Sequence, residues 1–256
     1  MQVLFPGDAA PERTVPQEDC LYLNVWRPRG ASAHHLPVMV WIYGGGFVNG
    51  GTSPAVYNGT QFARDGVLLV SFKYRLGNFG FFAFPALTRQ VRGQLLGDYA
   101  FMDQLASLRW VQRNIRAFGG DSHNVTVFGE SAGGMSVNNL LISPLAKGLF
   151  QRAIIESGGG RPLFPAPLAG SSSSAEAMGM RLARHFGIEG QGPRALARLR
   201  TLPASRLVNG LNMATMRSAE QDGYVGGGGR FGPMGCTREN RPRCMPRTRG
   251  SATTCR

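Results

Sequence analysis

The sequence predicts an α/β fold built on a mostly parallel, doubly wound sheet. Three observations point there. Two continuous apolar runs, Val38-Met39-Val40-Trp41-Ile42-Tyr43 and Val67-Leu68-Leu69-Val70-Ser71-Phe72, have the composition of strands buried on both faces. A third run, Val125-Thr126-Val127-Phe128, passes directly into Gly129-Glu130-Ser131-Ala132-Gly133 and then a helix-compatible segment that stops before Pro144. Between the second and third runs, apolar residues recur at helical spacing. Strands alternating with helices make a parallel sheet the expected architecture.

The elements follow in order. Residues 1–17 form a polar, proline-punctuated lead. Glu18 to Pro28 alternates apolar and polar residues and ends at a proline, as a strand does. Arg29 to Leu36 is a loop, and Pro37 opens the run ending in Gly44-Gly45-Gly46-Phe47. After the second run, Tyr74 to Gly80 reads as a glycine-marked loop. From about Tyr99, Phe101, Leu105, Leu108, Val111, Ile115 and Phe118 share one helix face, and Gly119-Gly120 ends that helix. Arg152-Ala153-Ile154-Ile155 is a further short strand. Arg161 to Ser174 is rich in proline, serine and small residues, and helices are expected at about 175–186 and 194–200. This divides the chain into a core over 18–160, a helical cap or side region over 161–225 and a Gly/Arg-rich tail over 226–256.

Two glycine-bearing turns carry the chemistry. Strand, Gly-x-Ser-x-Gly and helix together form the context of a nucleophile elbow, in which Ser131 sits on a strained turn beside the positive end of a helix. Gly44-Gly45-Gly46 has two readings. It is a flexible turn, or it is a set of bare amides that converge on an anion as an oxyanion hole requires. Both turns fall at carboxyl ends of strands, where open α/β sheets gather their working groups.

Bulk properties exclude several alternatives. The net charge is +13, but from Arg230 onward there are seven arginines against one acid, and only Lys73 and Lys147 are lysines among 28 basic residues. This is a compositional arginine bias rather than a phosphate-binding face, so no nucleic-acid partner is expected. No apolar run reaches transmembrane length and no signal peptide opens the chain, so the chain as it stands reads as cytoplasmic. Cys20, Cys236, Cys244 and Cys255 show no zinc spacing with histidine.

Three blocks resemble the type-B carboxylesterases, the cholinesterase-like branch of the α/β-hydrolases. They are Glu18-Asp19-Cys20-Leu21-Tyr22-Leu23-Asn24-Val25, Trp41-Ile42-Tyr43-Gly44-Gly45-Gly46-Phe47, and Phe118-Gly119-Gly120-Asp121 continuing to Phe128-Gly129-Glu130-Ser131-Ala132-Gly133-Gly134. Tyr74-Arg75-Leu76-Gly77 and Asp103-Gln104 also fit, and the resemblance covers roughly residues 18 to 160. It implies an α/β-hydrolase fold, truncated at both ends, that cleaves a small carboxylic ester through an acyl-enzyme. Ser131 would be the nucleophile, and the amides of Gly45, Gly46 and Ala132 the oxyanion hole. Glu130 and Ser157 would support the site. No cofactor or metal is implied, and family members are often secreted.

The pattern fails at the base. A histidine and an acid should follow the serine, yet only His185 does, on a predicted cap helix where the family places no catalytic histidine. His123 precedes the strand that Ser131 follows, roughly 15 Å away, and His34 and His35 also belong to the wrong sheet edge. The triad acid and histidine are therefore expected to be missing, with the reading frame lost near Met234. A non-catalytic hydrolase-like binding protein or an inactive gene fragment is the competing reading. An uncovered sheet edge is the expected consequence, and with it poor solubility.

Overall fold

The computed structural model describes residues 18–30, 34–90, 97–159, 170, 172, 174–208, 211 and 213–224. The polar lead, most of 161–173 and the tail with its cysteines lie outside them. Strands β1 (Leu23–Trp26), β2 (Leu36–Ile42), β3 (Leu68–Phe72), β4 (Gly120–Glu130) and β5 (Arg152–Glu156) form one sheet in the order β1-β3-β2-β4-β5. β2 pairs in parallel with both β3 and β4, β4 in parallel with β5, and β1 antiparallel with β3.

The helices are α1 (Thr60–Arg64), α2 (Gly77–Phe81), α3 (Pro85–Gln90), α4 (Tyr99–Asn114), α5 (Ala132–Ile142), α6 (Ala175–His185), α7 (Pro193–Arg200), α8 (Ala204–Val208) and α9 (Met216–Gln221). None among the described residues is long and apolar enough to cross a membrane.

Several expected elements shift. The first strand contracts from 18–28 to Leu23–Trp26. The segment read as a loop over 74–80 contains α2, which buries Phe81 and Asn78. The helix from Tyr99 ends at Asn114 and tightens into a 3-10 turn over Ile115–Phe118, closed by Gly119 at φ 87°. The strand before the elbow runs from Gly120, but its pairing with β2 is irregular between Leu36 and Val38.

The core follows from the apolar periods. β3 is buried at every position. Val38, Val40 and Ile42 of β2 and Val125 and Val127 of β4 pack with Leu108 and Val111 of α4 and Val137 and Leu140 of α5. A second apolar cluster joins Phe84 and Ala86 to Ala183, Ile188, Leu196 and Leu199, tying α3 to α6 and α7. Full burial of side chains this size contributes about 1.5–3 kcal/mol each.

Two features stand apart. Asp98, which precedes α4, is only 9% exposed, and its Oδ1 has no hydrogen-bond partner among the described residues. Burial pushes its carboxyl from the usual 3.8 up to about 7. β5, by contrast, is an edge strand of the described sheet and leaves Ile154 and Ile155 exposed.

Candidate active site

β2 and β4 are parallel neighbours in the middle of the sheet, so the turns that follow them emerge at the same edge. After β4 the chain must enter α5 at once, and Ser131 makes that reversal at φ 53°, ψ −118°. This conformation is sparsely populated for a residue with a Cβ and stores strain. Three backbones meet around it. A Cβ on Gly133 would penetrate the Ile42 carbonyl of β2, and one on Gly129 would stand 2.6 Å from the Gly133 carbonyl carbon. Glycine at these positions is the condition for β2, β4 and α5 to converge.

The strain at Ser131 is held from two sides. Its amide donates to the Glu156 carbonyl of β5 at 2.9 Å, and its own carbonyl accepts from Met135 N at 2.9 Å. Ser131 N–H is therefore already engaged. The first helical amide, at Ala132, has no acceptor four residues back and lies at the positive end of α5. From behind, Gln104 Nε2 of α4 donates to Ser136 Oγ at 3.0 Å, and that hydroxyl donates to the Ala132 carbonyl at 3.0 Å.

The glycine turn after β2 lies against this elbow. A Cβ on Gly44 would stand 3.1 Å from Ser131 Cβ and 2.7 Å from the Glu130 carbonyl oxygen. Gly45 and Gly46 have φ of 102° and 62°. The Gly45 carbonyl turns inward to accept from Val48 N and Asn49 N at 3.1 and 3.0 Å. In a trans peptide the Gly46 N–H must then point the opposite way, out of the turn. The turn rests on a rigid base. Phe47 is buried at φ 61° against Phe81 and Phe101, and its carbonyl accepts from Gly77 N at 2.7 Å. Tyr43 and Tyr74 stack at 4.4 Å and exchange hydroxyl-to-carbonyl bonds of 3.1 and 2.7 Å, so each buried hydroxyl is satisfied. Arg75 then clamps the next segment to α4 through a two-pronged pair with Asp103 at 2.7 and 2.8 Å.

The remaining expected site residues sort differently. Glu130 is exposed, and its carboxylate lies over Gly44, where a Cβ would come within 3.0 Å of Oε2. Ser157 is exposed at φ 50°, immediately after the Glu156 carbonyl that holds Ser131. The structure brings Ser131, Ala132, the Gly44–Gly46 turn and Glu130 together, with Ser157 one residue beyond.

The four histidines lie elsewhere. His34, His35 and His123 line a cavity at the amino ends of β2 and β4. His185 faces Asp222 at 3.6 Å and the rings of Phe186 and Tyr224.

Met213 is a neighbour of the site that sequence reasoning missed. Its thioether occupies the space where a Cβ on Gly46 would sit. No periodicity or motif marks it, since the contact is made only by the return of a distant segment.

A model of the carboxylesterase family matches residues 2–228. Fumonisin B1 esterase of Sphingopyxis macrogoltabida is 48% identical over 165 residues, which is 64% of this chain and 30% of that protein. Para-nitrobenzyl esterase of Bacillus subtilis (strain 168) is 49% identical over 158 residues, 61% of this chain and 31% of that protein. Among solved structures, a PNB esterase superposes with a TM-score of 0.66 at 41% identity, covering 78% of this chain and 40% of the other. A Geobacillus stearothermophilus carboxylesterase gives 0.66 at 41% identity, covering 80% and 41%. The chain thus spans less than a third of the length of these curated relatives, 30% and 31%.

Proposed function

This chain belongs to the carboxylesterase family, and from that premise we propose that it carries the nucleophilic half of a serine carboxylic ester hydrolase. The observation that carries the reading is Ser131. It is held at a strained φ of 53° between a parallel strand and a helix, with the Gly44 backbone against its Cβ.

In this reading Ser131 Oγ attacks the carbonyl carbon of a small carboxylic ester. The carbonyl oxygen becomes an oxyanion, and the amides of Gly45, Gly46 and Ala132 receive it. Each such donor is worth about 3 kcal/mol of barrier. Collapse of the tetrahedral intermediate expels the alcohol and leaves an acyl-enzyme, which water then hydrolyses. Glu130, at the end of β4, and Ser157, just past β5, support the elbow. No cofactor takes part.

Attack requires a base to take the hydroxyl proton. The reading assigns that role to none of the four histidines. Three line the opposite end of the sheet, and the fourth faces Asp222. Turnover by these 256 residues alone is therefore expected to be weak, sustained by oxyanion stabilisation and binding.

A fluorophosphonate probe and a p-nitrophenyl ester assay test the proposal, with Ser131→Ala as control. Labelling that disappears in Ser131→Ala supports it. Labelling that persists in that variant, or ester turnover matching a complete esterase, overturns one part or the other.

A further inference from the structure

A second concave site lies at the far end of the sheet from Ser131, and the machinery above makes no use of it. Its volume is about 380 Å³, within the range of small-ligand pockets. It is lined by His34, His35, Arg116, Asp121 and His123 around the Gly119–Gly120 turn. Strand pairing builds it. Leu36 N donates to the Gly119 carbonyl at 3.0 Å, which brings the approach to β2 against the entry to β4. His35 is held there at φ 59°, a left-handed conformation that a side-chain-bearing residue rarely keeps without tertiary constraint.

The polar groups are arranged, not scattered. Arg116 Nε donates to Ser122 Oγ at 3.1 Å, and Arg116 Nη2 lies 2.8 Å from His123 Nε2. A guanidinium only donates, so His123 Nε2 must accept and the ring carries its proton on Nδ1. Two of the five guanidinium N–H groups are engaged, which leaves three without a protein partner among the described residues. Asp121 is the only acid lining the site, and its Oδ1 accepts from His123 N at 2.8 Å.

A divalent cation does not suit this set. Arg116 places a fixed positive charge in the lining and occupies His123 Nε2. Among the described residues no group of three or more His, Cys, Asp or Glu is spaced to hold a metal ion.

We propose that this basin binds a phosphate group, free or on a small phosphomonoester. The unprotonated phosphate oxygens accept from the open edge of Arg116 and from the histidine rings. Inorganic phosphate keeps one P–OH at neutral pH, and a monoester keeps one in its monoanion below a second pKa of about 6; that hydroxyl donates to Asp121. This gives the acid in the lining a role beyond its bond from His123 N, and it separates phosphate from sulfate, which has no proton to give at neutral pH.

The test is titration of the full chain with inorganic phosphate, phenyl phosphate and sulfate at constant ionic strength, followed by calorimetry and by backbone amide shifts. Saturable phosphate binding is expected, with shifts centred on Arg116, Ser122 and His123 and with sulfate at least fivefold weaker. Tighter phenyl phosphate binding identifies a monoester site, and equal or weaker binding identifies a free-phosphate site. Arg116→Gln should weaken phosphate at least tenfold, Asp121→Asn should abolish the preference over sulfate, and Ser131→Ala should change neither. The proposal is overturned if wild-type shifts fall elsewhere or do not saturate. It is equally overturned if sulfate matches phosphate, or if a folded Arg116→Gln variant binds phosphate like the wild type.

Discussion

Replacing Asp98 by asparagine should stabilise the protein above neutral pH and do far less in mild acid. The carboxyl is raised from 3.8 to about 7 by burial. Between those values the folded chain keeps a proton that the unfolded chain has lost. Stability therefore falls as pH rises through this window and levels off above it. Each pH unit in the window costs about 1.4 kcal/mol, so the full loss is about 4 kcal/mol, of which about 2.5 kcal/mol falls between pH 5 and pH 8. That is a large share of a typical 5–15 kcal/mol domain stability. Asparagine keeps the shape and removes the titration. The measurement is urea unfolding of both proteins at the two pH values, followed by far-UV circular dichroism. All other titrating groups are common to both, so the change in their difference isolates Asp98. If Asp98→Asn shifts stability equally at pH 5 and pH 8, the carboxyl is not desolvated and the reasoning fails.

Three further substitutions probe the elbow. Gly44→Ala places a methyl 2.7 Å from the Glu130 carbonyl oxygen, so the turn or the elbow must move. A displacement near 1 Å should slow fluorophosphonate labelling of Ser131 by roughly 100-fold, and unchanged labelling kinetics would show that the turn does not abut the serine. Ser131→Gly and Ser131→Ala both delete the hydroxyl, but only glycine relaxes φ 53°. The glycine variant should be more stable than the alanine variant by about 1–2 kcal/mol, and equal thermal midpoints would refute stored strain.

The elbow was legible because its sterics leave little choice. Residues 129 and 133 must be glycine where three backbones meet, and that requirement is written in the sequence. The buried strands were legible for a similar reason, since only continuous apolar runs suit a strand covered on both faces. α2 was not legible. Gly77-Asn78-Phe79-Gly80-Phe81 has two glycines in five residues and poor intrinsic helix preference. Its turn is made by tertiary contacts, including the bond from Gly77 N to the Phe47 carbonyl. The start of β4 was hidden because Asp121-Ser122-His123-Asn124 is polar and bulges out of register, the pairing with β2 jumping from Leu36–Gly120 to Val38–Val125. β5 was read correctly as a strand, and its Ile154 and Ile155 lie exposed. Met213 illustrates the general limit. A contact made across more than 160 residues leaves no local trace.

The bond from Ser131 N to the Glu156 carbonyl has a consequence for how this molecule should lose competence. The turn that carries Ser131 is fastened to β5, an edge strand that among the described residues pairs only with β4. Peripheral strands detach at lower free energy than central ones. Loosening of Arg152–Glu156 would remove the tether while the central strands stayed intact. Serine reactivity would then vanish at milder denaturant than ellipticity does, and the gap between the two curves would measure the opening of a single seam.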